Sequence, residues 1–178
     1  MKTTNSVEFV KSKIRDILDF PVKGIVFKDI TTVLRDKEGF KEIIKFLTEK
    51  FKDKEIDYIA GIESRGFIFG AALAYELGAG FVPLRKPGKL PGEILSQDYQ
   101  LEYGTDTLQI HKDAIEPNKR VVIVDDLLAT GGTAGAACNL VRQTGANVVA
   151  AAFVIELQDL NGRAKMPEGV ETVSMIVY

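Results

Sequence analysis

The sequence predicts an α/β fold in which a mostly parallel, twisted sheet is flanked by helices. Apolar runs typical of buried strands, such as VVIV at 121–124, alternate along the chain with helical patterns. This alternation is characteristic of parallel sheets whose strands are joined by helices. The chain has 178 residues, of which 46% are hydrophobic and 27% are charged, and this composition suits one globular domain.

The N-terminal part predicts two helices. The first is predicted to end at the Phe20–Pro21 step, because apolar residues share one helical face before it and the residue before proline avoids helical geometry. The residues of that face are Val7, Val10, Ile14, Ile17 and Leu18. A second amphipathic helix is predicted over 40–51.

The remaining chain alternates between strands and helices, with one exception. Strands are predicted at 57–62, 80–84, 107–112, 121–124, 147–156 and 170–178, and helices at 66–78 and 133–144. Residues 85–106 contain two prolines and three glycines and have no clean period. A connection of this length is typical of a lid, a binding loop or a disordered segment.

Charge and composition exclude several classes of protein. A net charge of −2 argues against a non-specific nucleic-acid binder, which carries a basic surplus. The one cysteine, Cys138, excludes an intramolecular disulfide. The N-terminal residues lack the apolar core of a signal peptide, and no apolar run reaches the roughly 18 residues of a membrane helix. We therefore expect a cytoplasmic protein without nucleic-acid or membrane partners.

The segment VVIVDDLLATGGT (121–133) predicts a ligand site. Ligands of parallel α/β sheets bind beyond the carboxyl ends of the strands, where Asp125 and Asp126 lie. The free N–H groups at a helix start favour an anion, glycines let the backbone approach it, and threonine hydroxyls add donors. The loop residues in question are Ala129, Thr130, Gly131, Gly132 and Thr133.

The carboxylate pair narrows the ligand to a sugar phosphate. No lysine follows the glycines, as a nucleotide triphosphate loop requires, and the dinucleotide pattern G-x-G-x-x-G is absent. Such a loop suits a single phosphate. Adjacent carboxylates can accept hydrogen bonds from a ribose diol, as the acidic residue of dinucleotide sites does. The same pair could instead cap a helix or bind a metal.

Two further segments are candidates for anion binding. GIESRGFIFG (61–70) follows a predicted strand and opens a helix, and the guanidinium of Arg65 has a planar fork of donors suited to phosphate oxygens. Arg85, Lys86 and Lys89 form a basic cluster at the start of 85–106. The alternative for both features is a solvated surface.

VVIVDDLLATGGT closely resembles the phosphoribosyl pyrophosphate motif of the type I phosphoribosyltransferase family. Four more segments resemble family segments in the same order, namely FPVKGIVFKDIT (20–31), GIESRGFIFG (61–70), RKPGKLPGE (85–93) and LEYGTDTLQIHKDAI (101–115). Together they are spread along the chain from residue 20 to residue 133 and are most similar to the adenine-using members.

The resemblance implies one domain over 1–178, with a base-binding hood at about 1–35 and a mobile lid at about 85–106. It implies transfer of the phosphoribosyl group from phosphoribosyl pyrophosphate to adenine, which gives AMP and pyrophosphate. Mg²⁺ without a direct protein ligand and a homodimer are expected. A 6-oxopurine phosphoribosyltransferase and a non-enzymatic sensor of phosphoribosyl pyrophosphate remain alternatives.

The resemblance also implies roles for single residues. Glu102 is the candidate acid/base near N7 of the purine, and Tyr103 packs in the closed lid. Ribose and its 5′-phosphate bind to Asp125, Asp126, Ala129, Thr130, Gly131, Gly132 and Thr133. Pyrophosphate binds to Glu63, Ser64, Arg65, Lys86 and Lys89, with a cis peptide between Glu63 and Ser64.

The adenine site is expected at Val26, Phe27 and Lys28. The ring of Phe27 could stack on a purine, although core packing is the alternative for this side chain. By resemblance, the backbone of Val26 and Lys28 reads the adenine edge. Lys28 stands where many family members carry arginine, so a role for its side chain is left open.

Overall fold

A computed structural model describes residues 2–100 and 104–178, with side chains from Ser6 onward. The chain forms two compact units, of which one ends at Phe46 and the other spans Leu47–Tyr178. That residues 1–178 form a single domain with a base-binding hood at about 1–35 stays a prediction. Among the described residues, no helix combines the length and the apolar character needed to cross a membrane.

The first unit contains short elements around a hairpin. They are α1 (Lys2–Lys13), β1 (Arg15–Leu18), β2 (Val26–Asp29), α2 (Thr31–Leu34) and the start of α3 (Lys37–Phe51). Strands β1 and β2 pair antiparallel from Arg15 opposite Asp29 to Leu18 opposite Val26. The helix predicted over 40–51 is confirmed as the main part of α3.

The predicted extent of the first helix is wrong, because α1 ends at Lys13 and the chain then enters β1. The spacing of Ile17 and Leu18 fits the same helical face as Val7 and Val10, but backbone pairing with β2 takes these two residues into the hairpin. The side chains of Arg15 and Asp29 form an ion pair across the same two strands. Pairing with a distant segment therefore overrides the local pattern.

The second unit contains a five-stranded parallel sheet in the order β4–β3–β7–β8–β9. Its strands are β3 (Tyr58–Ile62), β4 (Gly80–Leu84), β7 (Arg120–Leu128), β8 (Asn147–Glu156) and β9 (Glu171–Val177). Helices α4 (Arg65–Leu77) and α5 (Gly132–Arg142) pack along the sheet. The predicted α/β fold class is confirmed.

Strand β7 lies in the middle of this sheet. The side chains from Val121 to Val124 are fully buried, because neighbouring strands and packed helices cover β7. A strand buried on both faces needs no polar alternation, which explains the run VVIV. The strand continues to Leu128, four residues beyond its predicted end, because pairing with β8 persists to Glu156.

The stretch 85–106 is more ordered than its composition predicted. Strand β5 (Ile94–Gln100) pairs antiparallel with β6 (Thr105–His111), from Ile94 opposite His111 to Gln100 opposite Thr105. The buried ring of Tyr99 joins the hydrophobic core of the second unit. The expectation of an irregular connection is therefore wrong for 94–100. The short 3₁₀ turns Gln158–Leu160 and Gly162–Lys165 lie between β8 and β9.

Candidate active site

A cleft of about 200 Å³ opens where β7 ends and α5 begins. It is lined by Arg65, Asp125, Asp126, Leu127, Leu128, Ala129, Thr130, Gly131, Gly132, Thr133 and Ala134. From β3 the sheet order runs outward to β4, whereas from β7 it runs the other way to β8 and β9. The order reverses between β3 and β7, and doubly wound sheets bind their ligands at such a reversal.

The ion pair between Arg65 and Asp126 joins the two sides of this cleft. Arg65 is the first residue of α4, and the carboxylate of Asp126 is buried in β7. The contact requires the start of α4 to lie close to β7, and Gly66 allows this. A Cβ atom on Gly66 would stand 2.5 Å from the carbonyl oxygen of Val124. The need for glycine at this position was not foreseen from the sequence.

The two adjacent carboxyl groups have unequal environments. Burial and the nearby charge of Asp126 raise the pKa of Asp125 well above its ordinary value. The Oδ1 atom of Asp125 accepts a hydrogen bond of 2.9 Å from the backbone N–H of Asp126. Arg65 pairs with Asp126, so the two acids together carry less than two uncompensated negative charges. This lowers the repulsion that a phosphate in the adjoining loop would meet.

The loop from Ala129 to Thr133, predicted to bind an anion, leads into α5 through two glycines. Gly131 precedes α5 with a φ of 80°, in the left-handed region that favours glycine. A Cβ atom on Gly132 would stand 2.8 Å from the carbonyl oxygen of Gln100. Close backbone packing therefore requires glycine at this position. The first residues of α5, whose N–H groups have no partner within the helix, lie among the residues that line the cleft.

The carboxylate of Glu63 contacts all three residues of the basic cluster, Arg85, Lys86 and Lys89. It accepts hydrogen bonds from Arg85 Nε at 3.0 Å and from the Lys86 N–H at 2.9 Å, and it forms an ion pair with Lys89. The Arg85 guanidinium, followed by the Lys89 ammonium, lowers the pKa of Glu63 to about 2. The peptide bond between Glu63 and Ser64 is cis, as the resemblance implied, and Ser64 precedes α4.

Lys86 lies in a second network that the sequence did not reveal. Its ammonium group donates to the hydroxyl of Tyr99 and to the carboxylate of Asp106. The hydroxyl of Tyr99 also donates to Asp106 at 3.1 Å. Tyr99 belongs to β5 and Asp106 to β6, so recognising this network would have required the hairpin pairing. All three cations expected to bind pyrophosphate thus have carboxylate partners in this structure, namely Arg65, Lys86 and Lys89.

The residues expected to bind adenine lie in the first unit, on β2. The ring of Phe27 contacts that of Phe20 edge to face, with centroids 5.2 Å apart. Val26 is exposed, and Lys28 Nζ lies 2.9 Å from a carboxylate oxygen of Asp16.

The two lid residues singled out by the resemblance, Glu102 and Tyr103, lie outside the described residues. Among the other predicted residues, the cleft brings together Arg65, the two acids and the loop from Ala129 to Thr133. Their roles in binding ligands stay predictions.

The sheet order and the cleft at its reversal place the chain among the α/β proteins whose ligands bind at the carboxyl edge of a parallel sheet. A family model described as the phosphoribosyl transferase domain matches residues 29–175. The chain belongs to the phosphoribosyltransferase family. The family membership predicted from the sequence is confirmed.

Within this family, the chain is similar to adenine phosphoribosyltransferases. An adenine phosphoribosyltransferase of Nostoc punctiforme is 57% identical over 171 residues, which cover 95% of this chain and 99% of the relative. A crystal structure of adenine phosphoribosyltransferase from Rhodothermus marinus superposes with a TM-score of 0.93 at 51% identity, covering 98% of this chain and 99% of that one.

The adenine phosphoribosyltransferase of Saccharomyces cerevisiae is similar as well. Its structure has a TM-score of 0.89 at 44% identity and covers 95% of this chain and 98% of that chain. It was determined in complex with adenine and the iminosugar D-2,5-dideoxy-2,5-imino-altritol 1,6-bisphosphate.

Replacement of Glu63 by Gln should give a pH-dependent loss of stability. The pKa of Glu63 is lowered from 4.5 to about 2, so its ionised form stabilises the fold fully above about pH 4.5, and this contribution is lost as the pH falls towards 2. We expect Glu63→Gln to lower the free energy of unfolding by about 2 kcal/mol at pH 7. The deficit should shrink steadily below pH 4.5.

Urea unfolding between pH 7 and pH 3 measures this difference. Glu93→Gln is the matched control, because the Glu93 side chain is 82% exposed and its ion pair with Lys112 lies on the surface. It should change the unfolding free energy little at any pH. A deficit of Glu63→Gln that stays constant over this range would contradict the assignment of a lowered pKa.

Proposed function

We propose that this protein transfers the 5-phosphoribosyl group from phosphoribosyl pyrophosphate to adenine, giving AMP and pyrophosphate for purine salvage. The observation that carries the proposal is the cleft at the reversal of the sheet order, where an acidic pair adjoins a glycine loop. The similarity to adenine phosphoribosyltransferases over nearly the whole chain supports the same reaction here.

In the proposed complex, the cleft holds the ribose 5-phosphate half of the substrate. Asp125 and Asp126 accept hydrogen bonds from the ribose hydroxyls, and the N–H groups from Ala129 to Thr133 bind the 5′-phosphate. The pairing of Asp126 with Arg65 supports this division, because it reduces the negative charge beside the phosphate. Anchoring both ends of the sugar fixes the anomeric carbon for attack.

The basic residues act on the leaving group. As the bond from the anomeric carbon to pyrophosphate breaks, the sugar becomes oxocarbenium-like and negative charge grows on the pyrophosphate. That charge is stabilised by Arg65, Lys86 and Lys89. The turn beside these cations is formed by Glu63 and Ser64. Lys86 pairs with Asp106 and Lys89 pairs with Glu63, so in the proposed complex each ammonium group exchanges its carboxylate partner for a pyrophosphate oxygen.

Adenine loses a proton as its N9 bonds to the anomeric carbon, and we assign the acid/base role on the purine to Glu102. Val26, Phe27 and Lys28 bind the base, with the ring of Phe27 stacking on it. The Lys28 ammonium is held by Asp16, which favours recognition of the base by the main chain rather than by this side chain. Residues 1–35 act as the hood, and residues 85–106, with Tyr103, act as the lid over the reactants.

Mg²⁺ is the proposed cofactor, and the donors present fit a mainly substrate-held ion. Mg²⁺ prefers oxygen ligands and retains several waters, and Asp126 already pairs with Arg65. Within 2–100 and 104–178, no cluster of three or more His, Cys, Asp or Glu side chains is arranged to hold a metal. The ion would be held by pyrophosphate and by the ribose hydroxyls that Asp125 and Asp126 orient, and it would offset the leaving-group charge.

We further propose that the protein acts in the cytoplasm as a homodimer, as the family resemblance implies.

A purine competition assay tests the proposed reaction. Purified protein with phosphoribosyl pyrophosphate and Mg²⁺ should form AMP at least about 100-fold faster than IMP, GMP or XMP. The cause is that a site built to bind the 6-amino group leaves buried polar atoms unpaired against a 6-oxopurine. Faster formation of IMP or GMP would contradict adenine as the substrate, but the assignment as a phosphoribosyltransferase would stand. No nucleotide from any purine would contradict the reaction itself.

Replacing Glu102 by Ala should lower kcat by about 100-fold, because general acid–base catalysis typically contributes at least that much. Binding of phosphoribosyl pyrophosphate, followed by calorimetry, should be unchanged. Glu93→Ala removes another glutamate of the lid segment and is the matched control, with wild-type kcat expected. An unchanged kcat for Glu102→Ala would remove Glu102 from the reaction.

A further inference from the structure

The turn that contains Gly162 lies directly against the phosphate loop. A Cβ atom on Gly131 would stand 2.2 Å from the carbonyl oxygen of Gly162, and a Cβ atom on Gly162 would stand 2.3 Å from the carbonyl oxygen of Ala129. The two backbones therefore touch with no side chain between them. The path of the loop through Ala129 and Gly131 depends on where Gly162 lies.

The same turn also contacts the start of α5. A Cβ atom on Gly135 would stand 2.8 Å from the carbonyl oxygen of Lys165. The backbone N–H of Leu157 donates to the carbonyl oxygen of Leu128 at 2.9 Å, just before the loop. Contacts before, within and after the loop thus all come from residues 157–165.

Arg163, the residue after Gly162, anchors this turn to the sheet. Its Nε and Nη2 atoms donate to the two carboxylate oxygens of Glu156 at 2.6 and 2.7 Å. Its Nη1 atom donates to the carbonyl oxygen of Thr172 at 3.1 Å. Glu156 ends β8 and is 3% exposed, and Thr172 lies in β9. A bidentate pair of this kind fixes orientation as well as distance.

We infer that the Arg163–Glu156 pair positions the 5′-phosphate loop for the transfer reaction through Gly162. Neither residue lines the cleft, so both are positioning residues and not catalytic ones. The inference rests on the proposed function, in which the loop from Ala129 to Thr133 binds the 5′-phosphate. The pyrophosphate end of the substrate contacts other segments, so loss of the pair should affect the two ends of the substrate unequally.

The test separates positioning from a general structural role. Removing Arg163 alone would leave the buried carboxylate of Glu156 without its partner, which destabilises the fold. The double variant E156Q/R163M removes both charges together. The single variant R163K keeps the positive charge but loses the bidentate fork. K54M/E171Q is the matched control, because the Lys54–Glu171 ion pair joins an exposed loop to the start of β9.

Calorimetric titrations with ribose 5-phosphate and with pyrophosphate give the decisive comparison. In E156Q/R163M, the Kd for ribose 5-phosphate should rise about three- to tenfold, the equivalent of roughly one hydrogen bond to the phosphate, while the Kd for pyrophosphate stays at the wild-type value. R163K should show a smaller rise. In the AMP-forming assay, KM should rise for phosphoribosyl pyrophosphate and not for adenine. The control should match wild type throughout.

The outcomes distinguish this inference from the proposed function. Unchanged binding of ribose 5-phosphate, or equal weakening for ribose 5-phosphate and pyrophosphate, would overturn the positioning role. Should the double variant fail to fold, R163K decides by the same comparison. A wild-type protein that forms no AMP would contradict the proposed function. An active wild type whose variants bind ribose 5-phosphate normally contradicts only the inference.

Discussion

The ion pair between Arg65 and Asp126 is the contact on which the charge of the cleft depends. It joins the start of α4 to β7 at the point where the sheet order reverses, and Gly66 makes the close approach possible. The positive charge of Arg65 offsets the negative charge of Asp126 in the cleft. With Asp126 paired and the pKa of Asp125 raised by burial, two adjacent acids can stand a few residues from a phosphate loop without preventing an anion from binding there.

A second set of ion pairs lies among the residues that we propose bind pyrophosphate. Glu63 holds Arg85 and Lys89, while Asp106 and Tyr99 hold Lys86, so these long side chains have defined partners in this structure. A substrate phosphate that replaces a carboxylate partner exchanges one charge-assisted contact for another. In the proposed reaction the protein therefore reorganises little as negative charge develops on the leaving group.

Local chemistry made part of the structure predictable. The buried run of β7 and the glycines of the loop depend on their own neighbours along the chain, and both were recognised from the sequence. The strand β1, the hairpin partner β5 and the contact of Gly162 with Gly131 depend on pairing between distant segments. Ile17 and Leu18 show the difference, because their spacing fits a helix while β2 draws them into a strand.

Ligand binding by an Asp126→Asn variant tests most directly whether the acids hold ribose beside a phosphate loop. Phosphorus NMR titrations would compare ribose 5-phosphate with inorganic phosphate. We expect the variant to bind ribose 5-phosphate more weakly than wild type does, because a carboxylate acceptor for the diol is lost. Inorganic phosphate should bind as well or better, because Arg65 is released from its carboxylate partner. An equal change for both ligands, or stronger binding of ribose 5-phosphate, would contradict the account.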